Sequence, residues 1–225
     1  MYFDWTFILL LPAMALALYA QFKVKSTFAK YAEVPSQKGL TGAAAARGIL
    51  DGNGLGMIKV EETPGELTDH YDPRAKTLRL SESVYASTSV AALGVAAHEA
   101  GHAVQDAKAY SPLKLRNGMV PISSLGSNLA IPLFFLGIFL SYKPLMDLGI
   151  MFFSVAVFFA VVTLPVEFDA SNRAIKVLAD GGYLTEAEVP MARAVLNAAA
   201  LTYVAAAAMA ILNLVRLLAL RNQRD

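Results

Sequence analysis

The stretch His98-Glu99-Ala100-Gly101-His102 places two histidines four residues apart with a glutamate beside the first. In a helix, this spacing projects both imidazoles from one face, about one turn apart. Two such imidazoles can bind one Zn²⁺ ion, and the carboxylate between them can accept a proton from a metal-bound water. The stretch therefore predicts a site for one zinc ion, with His98 and His102 as metal ligands and Glu99 as the catalytic base.

The residues around this stretch favour a helix. Residues 88–109 are mostly helix formers, and a glycine such as Gly101 costs a helix only about 1 kcal/mol. Ala97, Ala100 and Ala103 are also small, so another backbone can approach this helix closely. We expect the histidines to lie on a helix that packs against a second segment.

Composition limits the class of protein. Of the 225 residues, 56% are hydrophobic, which is too many for an ordinary soluble domain and indicates a membrane protein. The net charge of +1 gives no support to a nucleic-acid partner. The chain has no cysteine, which excludes disulfides and thiolate metal sites. It has three histidines, and the one besides His98 and His102 is His70.

Four apolar runs predict a mostly α-helical fold with about four transmembrane helices. Residues 5–22, 120–140, 148–166 and 198–215 are each close to the roughly 20 residues that cross a bilayer. Three lysines follow the first run within residues 23–30, so we expect an uncleaved anchor whose C-terminal end lies in the cytosol.

These runs divide the chain into five parts. We expect an N-terminal transmembrane anchor (1–22), a cytosolic zincin-like part with a small β element (23–118), a transmembrane hairpin (119–166), a cytosolic segment with a third-ligand helix (167–192), and a C-terminal transmembrane helix and tail (193–225). Because the hairpin leaves the cytosol and returns to it, both halves of the site lie on the same side.

The orientation of the last helix stays open. Thr185 and Glu188 form a capping-box pattern before it. If the helix crosses the membrane, the tail with Arg216, Arg221 and Arg224 lies outside, against the positive-inside tendency. Either this run spans imperfectly or the C-terminal helix bends back.

Glu167 is the candidate for a third metal ligand, since catalytic zinc usually has three protein ligands and one water. Pro165 favours the first turn of a new helix, which would begin near Val166 and end at Gly181-Gly182. An acidic residue such as Glu167 also suits a helix N-terminus, which is its alternative role.

The residues of the site resemble a known family. His98-Glu99-Ala100-Gly101-His102 with Ala103-Val104-Gln105, and Pro165-Val166-Glu167-Phe168-Asp169-Ala170-Ser171 downstream, are similar to the YugP-type neutral zinc metallopeptidases of bacterial membranes. Residues 65–73 and 78–82 also resemble that family, and the resemblance covers about residues 39–220. It implies a zinc-dependent, gluzincin-like endopeptidase of the bacterial inner membrane, with its active site facing the cytoplasm and with membrane or membrane-proximal proteins as substrates.

More distantly, the layout resembles HtpX and the CAAX prenyl proteases. Those proteins have Glu-x-x-Ala-Asp after a membrane hairpin, with the Glu as third ligand. Glu167 and Ala170 match this pattern, but Ser171 stands where the Asp would be. Asp169 or Asn172 would then have to take the place of that Asp beside the metal ligands.

The resemblance also implies a substrate-binding strand. Residues 77–80 alternate polar and apolar, which predicts a short strand. In zincin-like folds, an edge strand before the metal helix binds the peptide as an added strand. By this resemblance, Leu78, Arg79 and Leu80 would contact a peptide or protein substrate.

Three further residues have two possible roles each. His70 and Tyr71 lie among turn formers, where they can donate a hydrogen bond to an oxyanion or serve the turn itself. Asp106, four residues after His102, can orient a ligand histidine or be solvated.

Two alternatives compete with this peptidase. Leu178-Ala179-Asp180-Gly181 resembles the Leu-Asp-Gly element of site-2-type intramembrane metalloproteases, in which the aspartate would be the ligand. A non-catalytic metal-binding membrane scaffold is the other, although a purely structural site needs no base at Glu99.

Overall fold

A computed structural model describes residues 5–223, so the first four residues of the expected anchor and Arg224 of the basic tail lie outside the described residues. A 3₁₀ turn at Trp5–Leu10 precedes the first helix. The elements are α1 (Leu11–Ala32), α2 (Gly42–Gly52), β1 (Lys59–Thr63), β2 (His70–Asp72), β3 (Thr77–Ser81), α3 (Glu82–Tyr85), α4 (Val90–Ala107), α5 (Ser111–Phe139), α6 (Lys143–Asp180) and α7 (Val189–Asn222).

The described residues include four helices that are long and apolar enough to cross a membrane, namely Thr6–Ala32, Ser111–Phe139, Lys143–Asp180 and Val189–Asn222. Together with the small sheet, they confirm the predicted class, which is a mostly α-helical membrane protein with about four spans.

The chain divides into two compact units. The first, here called the apolar unit, comprises Met1–Gln21, Lys114–Pro165 and Leu201–Asp225, as far as these ranges are described. The second, here called the mixed unit, comprises Phe22–Leu113 and Val166–Ala200. Four helices, α1, α5, α6 and α7, continue from one unit into the other along the chain, and the residues of the predicted metal site all fall in the mixed unit.

In the apolar unit, α5 and α6 form the predicted hairpin through small residues. A Cβ atom on Gly149 would lie 2.7 Å from the carbonyl oxygen of Ala130, so the two backbones are in close contact there. Phe134, Met146 and Leu217 form the buried cluster of this unit. Close backbone approach at small residues is the usual way in which helices pack in a membrane.

In the mixed unit, the sheet has the order β1-β3-β2. β1 pairs in parallel with β3, and β2 pairs with it antiparallel, with His70 opposite Arg79. β3 is therefore central and is not the edge strand that the sequence predicted. His70 and Tyr71, which the sequence places among turn formers, lie in the short strand β2.

This topology corrects the predicted substrate contacts of β3. Leu78 and Leu80 are fully buried in the core of the mixed unit, because alternate residues of a central strand point into that core. Arg79 forms ion pairs with Glu61 and Asp72 on the neighbouring strands. Leu78, Arg79 and Leu80 are thus engaged within the fold.

Helix α4 confirms the helix predicted around the two histidines. Ser89 caps it, and its Oγ accepts a hydrogen bond from the backbone N–H of Ala92 at 3.1 Å. A Cβ atom on Gly101 would lie 3.0 Å from the carbonyl oxygen of Ala170 on α6. The small residue at position 101 therefore lets α6 approach the face of α4 that carries the histidines.

Helix α6 runs unbroken from Lys143 to Asp180, so the prediction that a new helix begins at Pro165 is wrong. A proline removes one backbone hydrogen bond, but breaking an apolar helix would leave more polar groups without partners. Two prolines within α5 are also helical. Glu167 consequently lies inside a helix, and its alternative role at a helix N-terminus is excluded.

Helix α7 is continuous from Val189 to Asn222 and does not bend back. The predicted capping box before it is present, because the backbone N–H of Thr185 donates to Glu188 Oε2 at 2.8 Å. The backbone N–H of Gln37 donates to Glu188 Oε1 at 2.7 Å, which ties the segment after α1 to the start of α7.

Candidate metal centre

Three side chains of the mixed unit bring their donor atoms together. Nε2 of His98 lies 3.3 Å from Glu167 Oε2, and Nε2 of His102 lies 3.5 Å from the same oxygen. The histidine side chains are 13% and 11% exposed and that of Glu167 is 3% exposed, so the cluster is largely buried and its histidines are the more accessible members. Among the described residues, these three form the group that could hold a metal ion.

Local structure explains this convergence. His98 and His102 stand one turn apart on α4, and their rings are 4.7 Å apart and nearly perpendicular. Glu167 precedes Ala170 by almost one turn of α6, and Ala170 is the residue that meets Gly101. The contact between the two helices therefore places the carboxylate beside both imidazoles.

The donor set fits zinc. Ligands around a tetrahedral ion at about 2.0–2.1 Å are separated from each other by roughly 3.3–3.4 Å. The distances from Glu167 Oε2 to the two imidazole nitrogens, 3.3 and 3.5 Å, agree with that separation. Two imidazole nitrogens and one carboxylate oxygen are also the ligands of many catalytic zinc sites, in which a water takes the fourth position.

Ser171 forms a hydrogen bond with the imidazole of His98. The hydroxyl oxygen of Ser171 lies 3.1 Å from Nδ1 of His98, which directs Nε2 towards Glu167. Ser171 follows Glu167 by four residues on α6, so it lies on the same helix face. The residue that departs from the more distant sequence pattern thus contacts His98 directly, while Asn172 is exposed.

His102 is held by Gln105. Nδ1 of His102 lies 3.0 Å from Gln105 Oε1. The amide nitrogen of Gln105 donates to the backbone carbonyl of Val166 at 2.9 Å and to Asp169 Oδ2 at 2.8 Å. Asp169 in turn accepts a hydrogen bond from Arg173, so it reaches the predicted ligand His102 through Gln105.

The local charge favours a cation at this place. Burial lowers the pKa of His102, but the hydrogen bond with Glu167 and the negative charges of Glu99 and Glu167 together raise it above the ordinary value. Glu99 is 9% exposed and is close enough to the cluster to act on this imidazole. The same carboxylates that stabilise an imidazolium would stabilise a bound metal cation.

Asp106 belongs to a different network. Its Oδ2 accepts hydrogen bonds from the hydroxyl of Tyr71 at 2.8 Å and from Lys76 Nζ at 2.6 Å. Burial and the Asp106 carboxylate raise the pKa of Tyr71 well above its ordinary value, so its hydroxyl remains a donor. The expectation that Asp106 orients a ligand histidine is therefore not met, and Tyr71 serves this network.

His70 is exposed at the start of β2, where its Nδ1 lies 2.8 Å from the carbonyl oxygen of Thr68. This local contact corresponds to the structural one of its two possible roles, which is to serve the turn. Asp180 lies thirteen residues after Glu167 on the same helix, which is about 20 Å along its axis. It is exposed and is not part of the cluster of donor atoms.

Sequence reasoning did not assign Gln105 and Ser171 to the site. Both lie on the faces that carry the proposed ligands, three residues after His102 and four residues after Glu167. Helical spacing could have identified them, because residues three and four apart are neighbours on a helix surface. The candidate chosen from that rule on α4 was the carboxylate at position 106 instead of the amide at position 105.

The comparisons with known proteins agree with this geometry. Residues 6–222 match the family described as "Putative neutral zinc metallopeptidase". The chain is 47% identical over 218 residues to "Putative membrane protease YugP" of Bacillus subtilis (strain 168), a match that covers 96% of this chain and 97% of that protein. No solved structure matches the chain. Since the match extends over almost the whole sequence, the chain belongs to this neutral zinc metallopeptidase family.

Proposed function

We propose that the protein is a membrane-bound zinc-dependent endopeptidase, with one Zn²⁺ ion held by His98, His102 and Glu167 and with Glu99 as general base. The observation that carries this proposal is the convergence of the three donor atoms within 4.8 Å of one another, with Glu167 Oε2 at 3.3 and 3.5 Å from the imidazole nitrogens, close to the separation around a tetrahedral zinc. Membership in a zinc metallopeptidase family supports a protease role.

The side chains divide the chemistry of peptide hydrolysis among them. When bound, Zn²⁺ supplies Lewis acidity that lowers the pKa of a water towards about 7 and polarises the scissile carbonyl. Glu99 then accepts the proton of the attacking water and passes it to the leaving amine. Its place beside His98 on α4 puts the carboxylate next to the reacting groups, and its burial limits competition from solvent.

The substrates we propose are membrane or membrane-proximal proteins. Four helices of the described chain are apolar enough to lie in a bilayer, and the relative from Bacillus subtilis is named a membrane protease. We place the protein in the bacterial inner membrane with residues 23–118 and 167–192 in the cytosol, because lysines follow the first span and two spans separate the halves of the site.

Two other activities are less well supported. A site-2-type protease would use Asp180, which lies about 20 Å along α6 from the cluster. A non-catalytic metal-binding scaffold would not need a buried carboxylate at Glu99, between the two ligand histidines.

The substitution Glu99→Gln tests the mechanism. We expect the purified variant to keep one zinc per chain while cleavage of a membrane-anchored test protein in detergent falls by about 10²–10⁴-fold, since the base is lost and the ligands remain. Zinc is quantified by elemental analysis and cleavage by gel electrophoresis. Cleavage at the wild-type rate by Glu99→Gln would overturn this mechanism, and a wild-type protein with zinc but without proteolysis would favour the scaffold.

A further inference from the structure

We propose, on the basis of the zinc site proposed above, that Gln105 is a positioning residue that fixes the tautomer of His102 and presents its Nε2 lone pair to the metal. Three contacts of one buried amide carry this proposal. Gln105 is fully buried between α4 and α6, and both ends of its side-chain amide have partners.

The partners of Gln105 determine which way its amide faces. An amide group has one acceptor oxygen and one nitrogen with two donor hydrogens. The backbone carbonyl of Val166 and the carboxylate of Asp169 can only accept hydrogen bonds, so the NH₂ group must face them. The carbonyl oxygen of Gln105 then faces His102.

The orientation of this amide determines the protonation of His102. A carbonyl oxygen can only accept, so Nδ1 of His102, 3.0 Å away, must carry the hydrogen. In the neutral ring, the lone pair is then on Nε2, the atom that lies 3.5 Å from Glu167 Oε2. A neutral ring that donates Nδ1–H to Gln105 thus keeps on Nε2 the lone pair that a metal needs.

The contrast with His98 shows why this role belongs to Gln105. The partner of His98 is the hydroxyl of Ser171, which can donate or accept and therefore selects neither tautomer. Gln105 has no such freedom, because turning its amide would leave the buried carbonyl of Val166 and the partly exposed carboxylate of Asp169 facing an oxygen. Asp169 is itself held by Arg173, four residues further along α6.

The same amide also connects the two helices that supply ligands. It bonds to the backbone of Val166, next to Glu167, while its own backbone belongs to α4 with His102. Removal of a hydrogen-bond partner of a metal-binding histidine typically weakens metal affinity by about 10–100-fold. We expect an effect of this size when Gln105 is replaced.

Three variants of the full-length protein separate positioning from mere packing. Gln105→Met keeps the length of the side chain and loses all three contacts. Gln105→Glu keeps an acceptor for Nδ1 of His102 and loses the donors to α6. Asp106→Asn, on the next residue of the same helix, removes the charge of a network that does not include the histidines and serves as control.

Two measurements are made on each folded variant in detergent. The first is the zinc dissociation constant, obtained by competition with a chromophoric chelator. The second is the tautomer of His102 from ¹⁵N NMR of the metal-free, histidine-labelled protein at alkaline pH, where the imidazoles are neutral. We expect a larger share of the Nδ1–H form in wild type, Gln105→Glu and Asp106→Asn than in Gln105→Met, where the Glu167 carboxylate beside Nε2 favours the Nε2–H form. Zinc affinity should fall by about 10–100-fold in Gln105→Met, fall less in Gln105→Glu and stay unchanged in Asp106→Asn.

Each result supports the inference or overturns it. A Gln105→Met variant that binds zinc as tightly as wild type would overturn it and leave the proposed function intact. If Gln105→Glu binds zinc as weakly as Gln105→Met, Gln105 only connects the two helices, and the inference is also overturned. If wild type binds no zinc, the proposed function fails, but the tautomer in the metal-free protein still tests Gln105. If Gln105→Met does not fold, a wild-type His102 in the Nε2–H form refutes the inference.

Discussion

The mixed unit and the apolar unit use the same kinds of residue in opposite ways. In the mixed unit, large aliphatic side chains such as Leu50 and Leu93 are fully buried. In the apolar unit, Ile122, Leu125 and Phe139 are 60%, 57% and 83% exposed. Water drives apolar side chains inside a soluble fold, whereas lipid tails are as apolar as leucine and leave them outside.

Polar side chains show the reverse contrast. In the mixed unit, Gln105 and Glu167 are buried within one connected network that includes both histidines. In the apolar unit, the polar contacts include Arg216 with Thr6 and the more exposed pair of Arg221 with Asp147. The comparison indicates that substitutions of single polar residues should have large effects in the mixed unit and small ones in the apolar unit.

The largest effect is expected from Glu167→Ala in the mixed unit. The variant should lose zinc during dialysis, because two imidazoles alone hold the ion much more weakly than three ligands do. The loss should exceed the about 10–100-fold change expected when only a hydrogen-bond partner is removed. Elemental analysis of the purified protein measures this.

Asp180→Ala is the control for that experiment, since Asp180 is an exposed acidic residue on the same helix. It should keep one zinc per chain. Zinc loss from Asp180→Ala together with zinc retention by Glu167→Ala would favour the site-2-type arrangement over the one proposed here.

A smaller effect is expected from steric change at glycine. The Cβ atom of a leucine at position 101 would lie 3.0 Å from the carbonyl oxygen of Ala170, so the backbone of α6 would have to move. Overpacking of this kind typically costs about 1–3 kcal/mol. Gly118 in the apolar unit has nothing within 4 Å of an added Cβ, and a better helix former should gain roughly 0.5–1 kcal/mol there. Denaturant unfolding in detergent should therefore show that Gly101→Leu is less stable than wild type and that Gly118→Leu is at least as stable as wild type. Equal losses in both would contradict the close contact between α4 and α6.

Local patterns predicted the helix with the histidines, its close contact with another backbone and the capping box before α7. Each depends on residues within about one turn of each other, where spacing and small size are sufficient evidence. The three donor atoms that converge in the structure also correspond to the three ligands proposed from the sequence. Bringing Glu167 to the histidines required a tertiary contact, which the sequence indicated through the need for a third ligand, the acidic residue after the hairpin and the resemblance to a family.

Features decided by distant residues were not predicted. Pro165 has a strong local preference for a helix start, but the apolar surroundings of α6 favour a continuous helix. Residues 77–80 indicate a strand, but the pairing of β1 on one side and β2 on the other is not visible in four residues. The choice between Gln105 and Asp106 depended on where Val166 and Asp169 of α6 lie, which spacing along α4 does not show.

The smallest effects should come from acidic residues outside the metal cluster, and they still distinguish the units. Glu188 is 4% exposed and accepts hydrogen bonds from the backbone of Gln37 and Thr185. Burial raises the pKa of Glu188, but these backbone donors and the Thr185 hydroxyl lower it below the ordinary value overall. Glu188→Gln should therefore cost about 1 kcal/mol of stability at neutral pH.

The pH dependence of this cost has a defined sign. A carboxyl group whose pKa is lowered by folding contributes fully above its unfolded value, about 4.3 for Glu, and loses its contribution as pH falls through the folded value. The difference in unfolding free energy between wild type and Glu188→Gln should thus be constant above about pH 5 and shrink below about pH 4.

Asp147 in the apolar unit is half exposed in its pair with Arg221, and such pairs contribute only about 0.2–1 kcal/mol. Asp147→Asn, measured by the same denaturant titrations, should change stability less than Glu188→Gln at neutral pH. A larger loss for Asp147→Asn would break the comparison, because an exposed ion pair would then stabilise the apolar unit as strongly as buried hydrogen bonds stabilise the mixed one.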